Sequence, residues 1–260
     1  QVLAANLLAV LREEVERLEW MAPATRATAL AKLAGYVVEL GHPERFRDLR
    51  GVLVRRDSPW GNVVAAKRFA VADDRRQVGR PSDPGRWQLP ASSSAAYLDL
   101  QLNAIVLPAG FLRGAFDPDA TDAFNYGWLG SNLAHDMTHV VDTLGAENDV
   151  LGRPVTWWTA ADQEGFAARA RCVADQASAF EVRPGLHLDG QRVLREAVGD
   201  LEGVRIAHAA LLRSMAARPV PAVDGFSPEQ QFFIAAAQSR AETLSEEAER
   251  RQVATDSHPV

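Results

Sequence analysis

Ser131-Asn132-Leu133-Ala134-His135-Asp136-Met137-Thr138-His139-Val140-Val141-Asp142-Thr143-Leu144-Gly145 decides how this chain is read. Apolar residues recur at helical spacing from Tyr126 through His135, His139 and Val140, and Gly145 offers a natural stop, so the spacing predicts a helix. Residues four apart lie on one face of a helix, so His135 and His139 can grip a single metal ion. Two histidines at that spacing are weak evidence alone. A catalytic zinc needs a third protein ligand and an open position for water. Glu196 and Asp200, again four apart, fall on a later helix expected over about 191 to 216. Glu196 can bind the metal while Asp200 orients a ligand imidazole from behind.

Upstream, residues 1 to 72 read as helices broken near Pro23 and at Gly41-His42-Pro43, with a further helical stretch around 62 to 71. The first is amphipathic, because Leu3, Leu7, Leu8, Leu11, Val15 and Leu18 recur through charged residues. Residues 79 to 94, rich in Gly, Pro, Asp and Ser, mark an exposed crossing loop. They divide a helical segment, 1–94, that packs on a core, 95–260. Tyr97, Asp99 and Gln101 then alternate with Leu98, Leu100 and Leu102, and the apolar run Ala104 to Leu107 stops at Pro108, which predicts a strand pair.

Downstream, Thr159 with Asp162 forms a capping-box pattern for a long helix after Trp157-Trp158. Ser227, Pro228 and Gln230 open a last helix that grows highly charged by Glu246 to Arg251. The fold class is predominantly α with a small β element. Trp157 and Trp158 read as core, His42, His187 and His208 as loop or packing residues, and Cys172 as an inert buried thiol.

The 260 residues are 47% hydrophobic, ordinary for a globular protein, and carry a formal charge of -6. That charge, with no long Lys/Arg stripe, argues against a nucleic-acid or anionic-membrane surface. Arg55-Arg56 and Arg250-Arg251 read as solvated faces. Apolar stretches such as 104 to 112 are too short and interrupted for a membrane span, which needs roughly 20 residues. A single cysteine excludes an intrachain disulfide. With no leader visible at the N-terminus, this favours a reducing, cytoplasmic location. A start at Gln1 rather than Met suggests a processed or trimmed chain.

Several stretches resemble the neprilysin family of zinc metallopeptidases, which includes endothelin-converting enzymes and bacterial endopeptidase O. The family's HExxH motif with a nearby Asp is matched by His135, Asp136, His139 and Asp142, and its ExxxD motif by Glu196 and Asp200. Pro81 to Trp87 and the run from Tyr97, ending Asn103-Ala104-Ile105-Val106-Leu107-Pro108-Ala109-Gly110, are similar to its NEIVFPAG strand region. Phe226 to Gln238 resembles its KQLFF-x-x-x-AQ helix, and Thr255-Asp256-Ser257-His258-Pro259 its TDxHSP stretch.

The resemblance implies a zincin-like catalytic domain of the gluzincin type holding one Zn2+ per chain through His135, His139 and Glu196. It implies support from Asp200 and Asp142, an oxyanion-stabilising role for His258, and Asp136 as the carboxylate that takes the proton from water. The implied reaction is hydrolysis of a peptide or peptide-like small-molecule substrate at a peptide or amide bond.

Four departures stand beside the matches. Asp136 replaces the family's catalytic Glu and is shorter by one methylene, and Ala95 replaces the Asn of NAY. The DNGG stretch reads Asp200-Leu201-Glu202-Gly203, and Val260 precedes the position of the family's Arg after the His. The chain lacks most of the large helical domain that roofs the site in the family, so the cleft is expected to be open or differently roofed, a separate domain or chain being one source of a roof. Two rival readings follow from Asp136 and Ala95: a pseudopeptidase serving as a binding module, and a zinc enzyme redirected to a non-peptide small molecule.

Overall fold

A computed structural model describes all residues except Pro81, Ser82, Pro84 and Val260. The resemblance noted at Pro81 and its neighbours therefore lies partly outside the described residues. Helix α1 (Val2–Glu16) buries Leu7, Val10, Leu11 and Val15 on one face, as their spacing requires. Helix α2 (Pro23–Ala34) starts with Pro at its first position, where the missing N–H costs nothing, and ends at Gly35. The chain then enters strand β1 (Val37–Gly41), not the helix expected there. β1 and α2 share one short apolar run, and only the pairing with a distant strand distinguishes strand from helix. Helix α3 (Pro59–Gln77) follows, longer than expected at both ends, with no buried residue.

Strand β2 (Tyr97–Asp99) pairs antiparallel with β3 (Ala104–Pro108), and β3 pairs parallel with β1, giving the order β1-β3-β2. The expected first strand stops at Asp99 rather than running to Leu102. Asp99 Oδ1 accepts hydrogen bonds from the backbone N–H groups of Gln101 and Leu102, and this turn diverts the chain. All five β3 residues are buried, so the sheet's centre is legible as an unbroken apolar run.

β3 leads through α4 (Ala109–Ala115) and α5 (Asp122–Asn125) into a π-helical turn over Tyr126–Gly130 and then α6 (Ser131–Thr138). α6 ends at His139, earlier than the stop expected at Gly145. Helix α7 (Ala160–Ala179) carries the expected capping box of Thr159 and Asp162. The hairpin β4 (Glu181–Arg183) and β5 (Leu186–His187) precedes α8 (Leu194–Ala217). The expected charged last helix is two helices, α9 (Pro228–Ser239) and α10 (Glu246–Thr255). Ser245 caps the second, accepting a hydrogen bond from the backbone N–H of Ala248, so the chain restarts a helix inside what the sequence presents as one pattern.

The core forms where α6 lies against α8, flanked by α1 and the π turn and covered by α9. The close crossing of α6 and α8 depends on glycine: a Cβ at Gly203 would stand 2.5 Å from the Ser131 carbonyl oxygen. Trp158 is buried edge-to-face against Trp20 at 5.6 Å, and Trp157 packs beside it, as core residues should. Cys172, expected to be buried, is exposed, because on α7 it borders an open cleft against α1 and α8 in place of packed core. Among the described residues no helix is long and apolar enough to cross a membrane.

Candidate metal centre

α6 and α8 together bring three acceptor atoms to one point. His135 lies in the last turn of α6 and His139 at its C-terminal cap, and Glu196 lies in the first turn of α8, all three buried. The Nε2 atoms of His135 and His139 are 3.0 Å apart, and Glu196 Oε2 stands 3.2 Å from the first and 3.1 Å from the second. Gly199, one turn after Glu196, admits the His135 ring: a Cβ there would lie 3.0 Å from its Cε1.

The other ring nitrogens are committed to carboxylates. His135 Nδ1 is 2.7 Å from Asp200 Oδ1, and His139 Nδ1 is 2.7 Å from Asp142 Oδ2. An ionised carboxylate only accepts, so each Nδ1 carries a proton and each ring turns its Nε2 to the centre, as a lone pair when the ring is neutral. Two lone pairs and a carboxylate oxygen then converge in a buried space, an arrangement that is repulsive unless a proton or cation lies among them. The electrostatics carry the same signature. Burial works to lower His139, but its bonds to Asp142 and Glu196 outweigh that and push it up to about 10. His135 is raised in the same way by Asp200 and Glu196 against its burial. Burial works to raise Glu196, but the two imidazoles hold it well below the usual carboxylate range.

The donor set fits zinc. Two imidazole nitrogens and one carboxylate oxygen are ordinary zinc ligands, and a tetrahedron with bonds of about 2.0–2.1 Å has edges of about 3.3 Å, close to these separations. His135, His139 and Glu196 are also the one group of metal-capable side chains found converging among the described residues.

The remaining expected residues take places around this cluster. Asp136, adjacent to His135, is half-buried, and burial raises its carboxyl while the two imidazoles pull it down. His258, close to the C-terminus, reaches the site: its Nε2 is 3.4 Å from Glu196 Oε2 and its ring stacks on His135 at 6.4 Å. Asp256 Oδ1, 2.8 Å from His258 Nδ1, holds that ring in place. Ala95 lies in the loop leading into β2, where Ser93 Oγ accepts a hydrogen bond from its backbone N–H.

Three contributors escaped the sequence reading. Arg195 donates from Nε to Glu196 Oε1 at 3.1 Å, and Arg240 donates to Asp200 Oδ1. Lys32 donates from a buried Nζ to the carbonyls of Gly145 and Asn148, at 2.6 and 2.7 Å, pinning the loop after α6. An isolated basic residue carries no motif. Gly199 and Gly203 did carry a signal, since they repeat three and seven residues after Glu196 and so share its face.

Residues 95–260 match peptidase family M13. Human endothelin-converting enzyme-like 1 is 29% identical over 269 residues, covering 99% of this chain and 34% of its own length. The endothelin-converting enzyme homolog of Locusta migratoria is 29% identical, covering 95% of this chain and 35% of its own length. Among solved structures, Mycobacterium tuberculosis zinc metalloprotease Zmp1 in complex with inhibitor superposes with a TM-score of 0.85 at 34% identity, covering 99% of this chain and 40% of that one. PepO of Lactobacillus rhamnosis HN001 superposes with a TM-score of 0.81 at 28% identity, covering 98% and 40%. The chain thus spans about a third of the length of the curated relatives it matches.

Proposed function

The chain belongs to peptidase family M13, and from that premise we propose that it is the zinc-holding portion of a metallopeptidase acting on peptide or amide bonds, with His135, His139 and Glu196 as the metal ligands. The observation that carries this reading is the convergence of three buried acceptors within 3.0–3.2 Å of one another, each imidazole backed by its own carboxylate. One zinc ion per chain satisfies that set. When bound, zinc supplies Lewis acidity, lowering the pKa of water and polarising a carbonyl.

The chain's own residues supply the rest. Asp200 and Asp142 hold the two imidazoles in one tautomer and orientation, with Nε2 facing inward. Asp136 accepts the proton as water adds to the carbonyl carbon and delivers it to the leaving amine. Burial raises its carboxyl against the pull of the two imidazoles. Its side chain is nonetheless roughly 1.5 Å shorter than a glutamate's, and misplacements of about 1 Å can cost on the order of 10²-fold. His258, beside Glu196 and over His135, donates to the negative charge that develops on the carbonyl oxygen. A roof over the site comes from a further domain or a separate chain, and residues 1–94 form the segment that packs on the core.

The short base also supports a second reading, in which the site serves a non-peptide substrate or works as a binding module. Asp136→Glu separates these. For a peptidase limited by reach, the zinc-loaded variant should cleave a mixed peptide pool at least about 10-fold faster at unchanged zinc content, while Asp136→Asn should abolish cleavage. Negligible cleavage by wild type and Asp136→Glu alike, with zinc retained, would overturn the peptidase reading.

A further inference from the structure

The C-terminal end of α9 touches both helices that carry the metal-capable cluster. Asn132 on α6 donates from Nδ2 to Ser239 Oγ at 3.2 Å, and Arg240, the C-terminal cap of α9, donates from Nη2 to Asp200 Oδ1 on α8. Asp200 Oδ1 is the same atom that accepts from His135 Nδ1. One carboxylate oxygen therefore joins a guanidinium from one helix to an imidazole from another. Ser239 and Arg240 span the two elements whose relative register sets the 3.2 Å separation of His135 Nε2 and Glu196 Oε2.

We propose that Arg240 is a positioning residue for the metal site: through Asp200 it fixes the His135 ring, and together with Ser239 it ties α6 to α8. This role rests on the zinc reading given above. The Asp200 side chain is 27% exposed, so without Arg240 water would compete for its oxygens and the carboxylate would turn away from the ring. The Arg240 side chain is itself 43% exposed, and an ion pair at that exposure contributes little to global stability. Its effect is therefore expected on the metal, with little on unfolding. A guanidinium suits the task because its planar fork holds a fixed orientation on a carboxylate, which a lysine ammonium cannot do.

The test compares wild type, Arg240→Gln, Arg240→Lys, Asp200→Ala and the Arg240→Gln/Asp200→Ala double variant. The readouts are zinc release to a chromogenic chelator, the visible spectrum of the cobalt(II)-substituted protein and the melting temperature. Arg240→Gln should release zinc about 5- to 10-fold faster and alter the cobalt spectrum, with the melting temperature nearly unchanged. Arg240→Lys should recover part of the retention. In the Asp200→Ala background, removing Arg240 should change nothing further, because the coupling runs through that carboxylate. Wild-type release rates and spectrum in Arg240→Gln would overturn the proposal, as would an effect that persists in full without Asp200 or one that tracks loss of melting temperature. If wild type holds no zinc, the zinc reading itself falls.

Discussion

Helices α3 and α6 show what length does and does not secure. α3 runs for 19 residues and buries none of them, whereas α6 runs for eight and buries six. α3 closes with Arg75 and Arg76, which favour a helix end, and Arg76 pairs with Asp73 on its surface. Trp60 and Val71 remain largely in water. Its helical form thus rests on local preferences worth tenths of a kcal/mol each and on surface pairs such as Arg47 and Arg86 with Asp73, with no buried apolar face. α6 is placed by what it meets: Met137 and Ala134 are fully buried, and Gly203 of α8 lets the two backbones touch. The short helix can hold side chains to the tolerance that metal binding requires because packing over-determines it.

That contrast ranks the expected effects of substitution. Gly203→Val should be the most damaging, because its side chain would meet the Ser131 carbonyl and the His135 backbone at under 3 Å; a loss of about 3 kcal/mol is expected in denaturant unfolding. Gly61→Val, a glycine near the start of α3 facing only the Ser58 side chain, should cost a small fraction of that. Equal losses at both positions would break the comparison.

Lys32 gives a pH test of the loop that follows α6. Burial lowers its pKa to about 8 from 10.5, although Asp142 and Asp149 work to raise it. The folded state thus resists a proton that the unfolded chain accepts. The resulting penalty is complete below pH 8 and fades as pH rises toward 10.5, so the Lys32 contribution to stability should rise by about 2 kcal/mol between pH 8 and 10, read as the difference from Lys32→Met because His139 titrates in the opposite sense there. Lys32→Met should lack that rise. Parallel pH profiles for the two proteins would mean that Lys32 is not held in a desolvated place.

Asp200→Ala should weaken zinc retention by roughly 10- to 100-fold while the fold persists, since the loss falls on the orientation of one imidazole. The smallest effects belong to α3. Trp60→Ser and Val71→Ser should each change unfolding free energy by less than about 0.5 kcal/mol and leave zinc content unaltered. A large loss at either would show that α3 has a packing partner.

The legible parts of the chain are those whose signal is local. The i,i+4 pairs His135/His139 and Glu196/Asp200, the capping boxes at Thr159 and Ser227, and the apolar run of β3 each announce themselves within a few residues. What stayed hidden depends on partners distant in the chain. β1 is a strand because Val37 to Gly41 align with Ala104 to Pro108, a parallel pairing across more than sixty residues. Arg240 reaches Asp200 only because α9 packs against the helices of the site, and the break between α9 and α10 interrupts a pattern whose charges read as one helix. Cys172 shows the converse error: a helical pattern gives the element, but which face is covered depends on neighbours that the pattern does not name.

The most direct test of the account is zinc content after mild chelation, measured by elemental analysis on wild type, His139→Ala and Glu196→Gln side by side. The converging acceptors of α6 and α8 predict one zinc per chain in wild type and none in either variant, each of which removes one vertex of the set. Stoichiometric zinc retained by both variants, or none in wild type, would contradict it.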